Sequence, residues 1–176
     1  MVKIKALDKK SYSGKSFILK YQTKGYYDIQ PTSKGFDICY KTFDEPKEMS
    51  FSDVIFNEWL DHPKAFGAFE NERFIGFVEG YLEKWNNRYR ISNICIFENS
   101  DRHNGIGMLL MQTILSKAKK SGARMVVLET QSCNENAISF YKKHGFKMIG
   151  FDLFAYTNTD QERHEIRIEM GKVIDQ

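Results

Sequence analysis

Ile91-Ser-Asn-Ile-Cys-Ile-Phe97 leads, a few residues on, into Arg102-His-Asn-Gly-Ile-Gly107 and then Met108-Leu-Leu-Met-Gln-Thr-Ile-Leu-Ser-Lys-Ala118. The first piece is an apolar extended run, the second a turn with two glycines, the third a helix by its periodicity. Ile106, Leu110, Ile114 and Ala118 fall on one helical stripe, while Gln112, Ser116 and Lys119 take the water side. A strand, a glycine-rich turn and a helix in that order make a cradle for phosphate. Gly105 and Gly107 allow a ligand close to the backbone. The first N–H groups of the helix have no intrahelical acceptor, and the helix dipole adds positive potential where they point. Arg102 adds a fixed cation beside the same turn, and His103 is a further candidate for phosphate contact. The cofactor-binding expectation therefore covers Arg102, His103, Asn104, Gly105, Ile106, Gly107 and Met108.

Two phosphate motifs are excluded. The chain has no G-x-x-x-x-G-K-[ST], so the turn is not a nucleotide-hydrolysing P-loop. A dinucleotide fingerprint needs a third glycine that this turn lacks. A one-turn diphosphate site of the kind used for coenzyme A remains.

Downstream, Arg124 to Gln131 reads as a buried strand, with Met125 to Leu128 as its apolar run after Ser121-Gly122. Asn134-Glu-Asn-Ala-Ile-Ser-Phe-Tyr-Lys-Lys-His-Gly-Phe146 then reads as a short helix closed by Gly145. R-x-x-G-x-G, a helix, a strand and N-x-x-A-x-x-F-Y-x-x-x-G-F, in this order, resemble the GCN5-related N-acetyltransferase superfamily over roughly Phe66 to Val173. Shorter blocks, Lys84-Trp-Asn-Asn-Arg-Tyr89, Leu128-Glu-Thr-Gln131 and Ala137 to Phe146, look like the streptothricin acetyltransferases of Gram-positive bacteria, which acetylate the β-lysine amine of a cationic antibiotic.

The resemblance implies an α/β fold, a central mixed, mostly antiparallel sheet with helices on both faces; the length of 176 residues implies one domain, so residues 1–176 are expected to form a single N-acetyltransferase domain. It implies acetyl-CoA as co-substrate and a small-molecule primary amine as acceptor. In the superfamily the strand before the loop holds the pantetheine arm through its backbone, a role that falls here on Ile94, Cys95 and Ile96. Tyr141 matches the tyrosine that donates a proton to the departing sulfur, and a phenol with an ordinary pKa near 10 is a ready donor at neutral pH. Asn134 matches the residue that bonds the pantetheine amide, a role compatible with an ordinary helix N-cap. A dimer is a frequent habit of the superfamily, so a homodimer is carried over with the same standing.

The base departs from the pattern. Streptothricin acetyltransferases resemble Glu-Asp where this chain has Ser92-Asn93, and neither side chain is a general base near neutral pH. Either another carboxylate substitutes, or water takes the proton of an amine whose pKa burial has lowered. Glu129 is the first candidate, at the end of its strand; Glu79, Glu83 and Glu98 follow. Two other readings stay open: acetylation of a protein, peptide, polyamine or aminoglycoside amine, and a coenzyme A-binding module without turnover.

Composition sets outer bounds. With 176 residues, 41% hydrophobic and 14% aromatic, the chain buries a sizeable core and is not disordered. No apolar run is long enough to span a membrane and Met1 to Lys10 lacks a signal-peptide core, so the expectation is a cytoplasmic protein off the membrane. Cys39, Cys95 and Cys133 are odd in number and far apart, which fits reduced thiols. The net charge of +3 is slight, and Lys117, Lys119, Lys120 and Arg124 suit a helix C-terminus better than nucleic acid, so no nucleic-acid partner is expected. His62, His103, His144 and His164 lack metal-ligand spacing, so no metal is expected.

The rest reads coarsely. Ser16 to Tyr21 and Phe36 to Phe43 are short strands or helix starts, split by Thr23-Lys-Gly25 and Pro31 to Gly35. Phe51 to Leu60 is expected to be a helix, capped by Ser52, striped by Phe51, Ile55 and Trp59, and stopped by Pro63. Lys64 to Phe69 and Arg73 to Trp85 form a hairpin through Glu70-Asn-Glu72. Lys147 to Thr157 and His164 to Ile174 close the sheet.

Overall fold

The computed structural model describes residues 1–97 and 105–174. Along the chain run β1 (Val2–Ala6), α1 (Lys9–Tyr12), β2 (Ser16–Thr32), β3 (Gly35–Val54), β4 (Lys64–Glu70), β5 (Arg73–Glu83), β6 (Arg88–Ile96), α2 (Ile106–Lys120), β7 (Met125–Gln131), α3 (Glu135–Lys143), β8 (Lys147–Asp152), α4 (Asp160–Arg163) and β9 (Arg167–Val173). The contacts divide these into two compact units. The first comprises Met1–Lys20, Ser50–Val127 and Val173–Gln176; the second comprises Tyr21–Met49 and Leu128–Lys172.

In the first unit the strands lie in the order β1-β4-β5-β6, and these pairings are all antiparallel. The β4–β5 hairpin turns on Asn71 and Glu72, whose φ angles of 48° and 61° are both left-handed. That is the primed turn whose twist matches the strands it joins. Helix α2 packs on β4, β5 and β6. Its expected stripe is the one that is buried: Ile106, Leu110, Ile114 and Ala118, joined by Met111. A second apolar cluster holds Leu7, Phe17, Ile55, Phe56, Ala65, Phe77 and Cys95. Phe17 and Phe77 meet edge to face there at 5.0 Å, a geometry favoured by the ring quadrupoles.

The expected helix over Phe51 to Leu60 does not form. The segment is the end of β3 followed by turns. Of its stripe only Ile55 is buried, at 1% exposure, while Phe51 and Trp59 stay exposed at 39% and 66%. Phe56 and His62 are left-handed, with φ of 55° and 50°, which no α-helix accommodates. Ile55 instead exchanges backbone bonds with the turn just before β2: its N–H donates to Lys15 O and its carbonyl accepts from Gly14 N–H, both at 3.0 Å. These long-range backbone bonds outweigh a local spacing of apolar residues.

In the second unit the end of β7 is followed in the sheet by β9 and β8, and β8 and β9 pair antiparallel. The closing strands are shorter than expected, because α4 occupies part of their connection. The stretch read as broken short elements is two long strands, β2 and β3, paired as a ribbon. Thr23-Lys-Gly25 does not interrupt β2. A Cβ on Gly25 would run into the Lys41 carbonyl and the Tyr40 ring, so the glycine serves close approach within the ribbon and not a turn.

Candidate active site

In the first unit, α2 opens on Gly105, a left-handed N-cap with φ 73° and no side-chain capping bond. Its first turn holds no acidic residue, so nothing there competes with an anion for the unpaired N–H groups. Ile106 and Gly107 are buried, and Met108 is 47% exposed. Arg102, His103, Asn104 and Glu98 lie outside the described residues. In β6, Cys95 is buried at 2% exposure, and Ile94 and Ile96 on either side are half-buried.

The same unit carries the carboxylate arrangement that the sequence leaves open. Glu79 in β5 is fully buried. Its Oε1 accepts the Phe56 N–H at 2.7 Å. Its Oε2 accepts the Ser92 hydroxyl at 3.1 Å and the Asn93 amide at 3.4 Å. The register explains why adjacent residues of one strand reach the same atom. Glu79 pairs with Asn93 and Gly80 with Ile91, so Ser92 is an extra residue on β6. Such a β-bulge breaks the alternation that would send neighbours to opposite faces. Asn93 Nδ2 also donates to Asp53 Oδ2 at 3.2 Å. Asp53 Oδ1 in turn accepts the Val54 N–H at 2.8 Å and Asn57 Nδ2 at 3.1 Å. Burial pushes the Glu79 carboxyl above the usual range; the Phe56, Asn93 and Ser92 bonds oppose this, and the Asp53 charge adds to it.

Glu83, another candidate base, is held differently. Burial alone would raise its pKa, but the hydrogen bonds from Arg90 and Asn86 and the charges of Arg90 and Arg88 keep it below the usual range. Its carboxylate lies against both guanidinium groups, so it stays ionised as their counterion.

In the second unit, Asn134 caps α3, its side chain accepting the Ala137 N–H at 3.2 Å. The cap uses the amide oxygen and leaves the amide nitrogen for another partner. Gly145 follows the helix with φ 85°, the left-handed residue expected at C′. Tyr141 is buried at 7% exposure, with its ring packed between Phe140 and Phe146. Burial raises its phenol's pKa, which keeps the proton on it at neutral pH. Glu129 is exposed and ion-paired with Arg167 at 3.7 Å, and Arg167 also reaches Asp152 at 3.4 Å.

Sequence reading placed Asp53 and Asn57 inside a helix and so did not bring Asp53 beside Asn93 and Glu79. One signal was available: Glu79 is the one charge inside Phe74-Ile-Gly-Phe-Val-Glu-Gly-Tyr-Leu82, and a charge kept in a run buried on both faces calls for internal partners. Among the described residues no group of His, Cys, Asp and Glu could hold a metal ion, and no helix is long and apolar enough to cross a membrane.

A glycine-opened α2, an Asn-capped α3 carrying a buried tyrosine, and a mostly antiparallel sheet define an acetyltransferase fold. The chain belongs to the Acetyltransferase (GNAT) family, which matches residues 33–146. It is 26% identical over 140 residues to the streptothricin acetyltransferase of Escherichia coli, covering 79% of this chain and 77% of that one. It is 34% identical over 116 residues to N-alpha-acetyltransferase 30 of Schizosaccharomyces pombe, covering 62% of this chain and 75% of that one. Among solved structures, a nourseothricin acetyltransferase superposes with a TM-score of 0.77 at 22% identity over 99% of both chains. A Bacillus anthracis protein in complex with acetyl coenzyme A superposes with a TM-score of 0.76 at 23% identity, again over 99% of both.

Proposed function

We propose that this acetyltransferase moves the acetyl group of acetyl-CoA to a primary amine of a streptothricin-type cationic antibiotic. The observation that carries the reading is the extent of the likeness. By sequence the Escherichia coli streptothricin acetyltransferase matches 79% of the chain and N-alpha-acetyltransferase 30 of Schizosaccharomyces pombe 62%; by structure the nourseothricin acetyltransferase matches 99%, a span that takes in the long β2–β3 ribbon, and Ard1 of Thermoplasma volcanium 64%. In this reading acceptor specificity comes from what is added to the shared core.

In this reading the α2 N-terminus, from Gly105 through Met108, takes the pyrophosphate on its unpaired N–H groups. The β6 backbone at Ile94, Cys95 and Ile96 and the side chain of Asn134 hold the pantetheine arm, and Tyr141 gives its phenolic proton to the departing sulfur. A second reading keeps the same chemistry and moves the acceptor to a peptide α-amine. It is supported by the higher identity, 34%, to N-alpha-acetyltransferase 30.

The test follows thiol release from acetyl-CoA with streptothricin, an aminoglycoside, spermidine, a lysine-rich peptide and a peptide with a free α-amine. Streptothricin is expected to be the best acceptor. Strong turnover of a peptide or spermidine with none of streptothricin would replace the first reading by the second. No turnover of any amine, with acetyl-CoA still raising the melting temperature, would make the chain a binding module.

A further inference from the structure

Glu79 is a fully buried glutamate whose hydrogen-bond partners among the described residues are all neutral: the Phe56 amide, the Ser92 hydroxyl and the Asn93 amide. A buried carboxylate normally acquires a cation when its role is to remain a stable charge. Glu83, on the same strand, has two guanidinium groups; Glu79 has instead a second carboxylate, Asp53, joined to it through one Asn93 amide. This arrangement disfavours ionisation and suits a group that gains and loses a proton. Glu79 has no exposed surface of its own, but Ser92, which donates to its Oε2, is half-buried.

We propose that Ser92 and Glu79 form the proton relay of the acetyl transfer, and that Asp53, acting through Asn93, positions the receiving carboxylate. The proposal rests on the acetyl-transfer reading and supplies its base. As an acceptor ammonium gives a proton to Ser92 Oγ, the hydroxyl proton of Ser92 passes to Glu79 Oε2. The freed nitrogen lone pair forms the C–N bond at the thioester carbonyl carbon and the C–S bond breaks. Tyr141 protonates the departing sulfur and regains a proton as the nitrogen loses its second, so amide, thiol and protonated Glu79 balance ammonium, thioester and carboxylate. Glu79 then returns its proton to water. Ser92 and Asn93 are thus the link to a carboxylate on the neighbouring strand.

Among the described residues, the strands beside Glu79 bring it two other titrating groups. β3 brings Asp53, and β6 brings Tyr89, a buried phenol whose pKa is raised by burial and by the Glu79 charge. The residue opposite on β4 is Ala65, and the residues α2 buries, Ile106, Gly107, Leu110, Met111, Ile114 and Ala118, do not titrate.

The experiment measures kcat/KM against pH, from about 5 to 9, for the parent, Glu79→Gln, Ser92→Ala, Ser92→Thr and Asp53→Asn. The acceptor is the best amine of the panel, and the acetyl-CoA-induced rise in melting temperature serves as a folding control. Glu79→Gln is expected to lose on the order of a hundredfold to a thousandfold in kcat/KM, the range of a general base, together with the acid limb of the profile. Ser92→Ala is expected to lose at least about tenfold, with Ser92→Thr restoring most of it. In Asp53→Asn the acid limb should move to lower pH, because removing a like charge eases ionisation of Glu79.

A readout independent of turnover is the melting temperature. A carboxyl raised in the folded state contributes stability that is full below its unfolded pKa and is lost as pH rises through the folded one. That loss should be present in the parent and missing in Glu79→Gln. Near-parental kcat/KM with an unmoved acid limb in Glu79→Gln would overturn the proposal. Should Glu79→Gln fail to fold, an unshifted profile in Asp53→Asn together with full activity in Ser92→Ala would do the same. A parent that turns over no amine would instead refute the transfer reading, and the relay with it.

Discussion

Gly80→Ala would strike the bulge that brings Ser92 and Asn93 to Glu79. A Cβ at this position would lie 2.5 Å from the Arg90 carbonyl oxygen and 2.8 Å from Tyr89 Cε1. Ordinary contact starts at 3.4 Å, so β5 and β6 would have to part locally by about 0.9 Å, the difference from 2.5 Å. The nearest atom is backbone, which yields less readily than the end of a flexible side chain. Overpacking of this kind costs roughly 1–3 kcal/mol. The Tyr89 hydroxyl, which donates to the Gly80 carbonyl at 3.2 Å from a buried ring, would lose a bond contributing about 1 kcal/mol. Together these give about 2–4 kcal/mol, or on the order of 4–16 °C in melting temperature for a chain of this size. The same parting would carry Ser92 Oγ, now 3.1 Å from Glu79 Oε2, beyond hydrogen-bond reach, so acetyl transfer should fall by more than the lost stability explains. Gly14→Ala is the comparison: φ is 75° but no atom lies within 4 Å, so only left-handed strain of about 1–2 kcal/mol is expected, with activity unchanged. Urea and thermal unfolding with thiol-release assays on both variants check this. A Gly80→Ala protein within roughly 0.5 kcal/mol of the parent and fully active would refute the bulge argument.

Tyr141→Phe should lower kcat by about tenfold to a thousandfold while acetyl-CoA affinity, measured by calorimetry, stays near the parent's; full activity would leave the ring a packing role only. Asp160 is fully buried and accepts the N–H groups of Tyr156 and Thr157, each at 2.8 Å, and the Thr157 hydroxyl at 2.6 Å. Burial raises its pKa, but these bonds outweigh that and hold it below the usual carboxylate range. Its stability contribution is therefore present above the unfolded pKa and lost as pH falls through the folded one, the opposite sense to Glu79. Asp160→Ala should cost about 2–4 kcal/mol at neutral pH by urea titration, and the gap to the parent should close in acid.

The two helices that bear on the chemistry were legible because their signals are local. An i, i+4 stripe from Ile106 to Ala118, an Asn cap at Asn134 and a glycine at C′ each span a few residues, and the structure keeps all three. The Asn71-Glu72 turn was legible for the same reason. The segment from Phe51 to Leu60 satisfied a helical spacing, and Ile55 still bonded Gly14 and Lys15, since residues some forty positions upstream supplied backbone partners that no local window contains.

The order of the motifs carried the resemblance to the superfamily, and apolar spacing and capping residues by themselves determined α2 and α3, because those helix signals lie within one or two turns of chain. Only the tertiary structure decided where the buried carboxylate sits. Asp53, Glu79, Ser92 and Asn93 come from three separate strands, and their meeting depends on a one-residue shift in the β5–β6 register. A register is set by packing across the whole sheet, and moving it by one residue reverses which side chains face inward. Along the chain Ser92-Asn93 offers no general base, and in the fold both residues donate to Glu79.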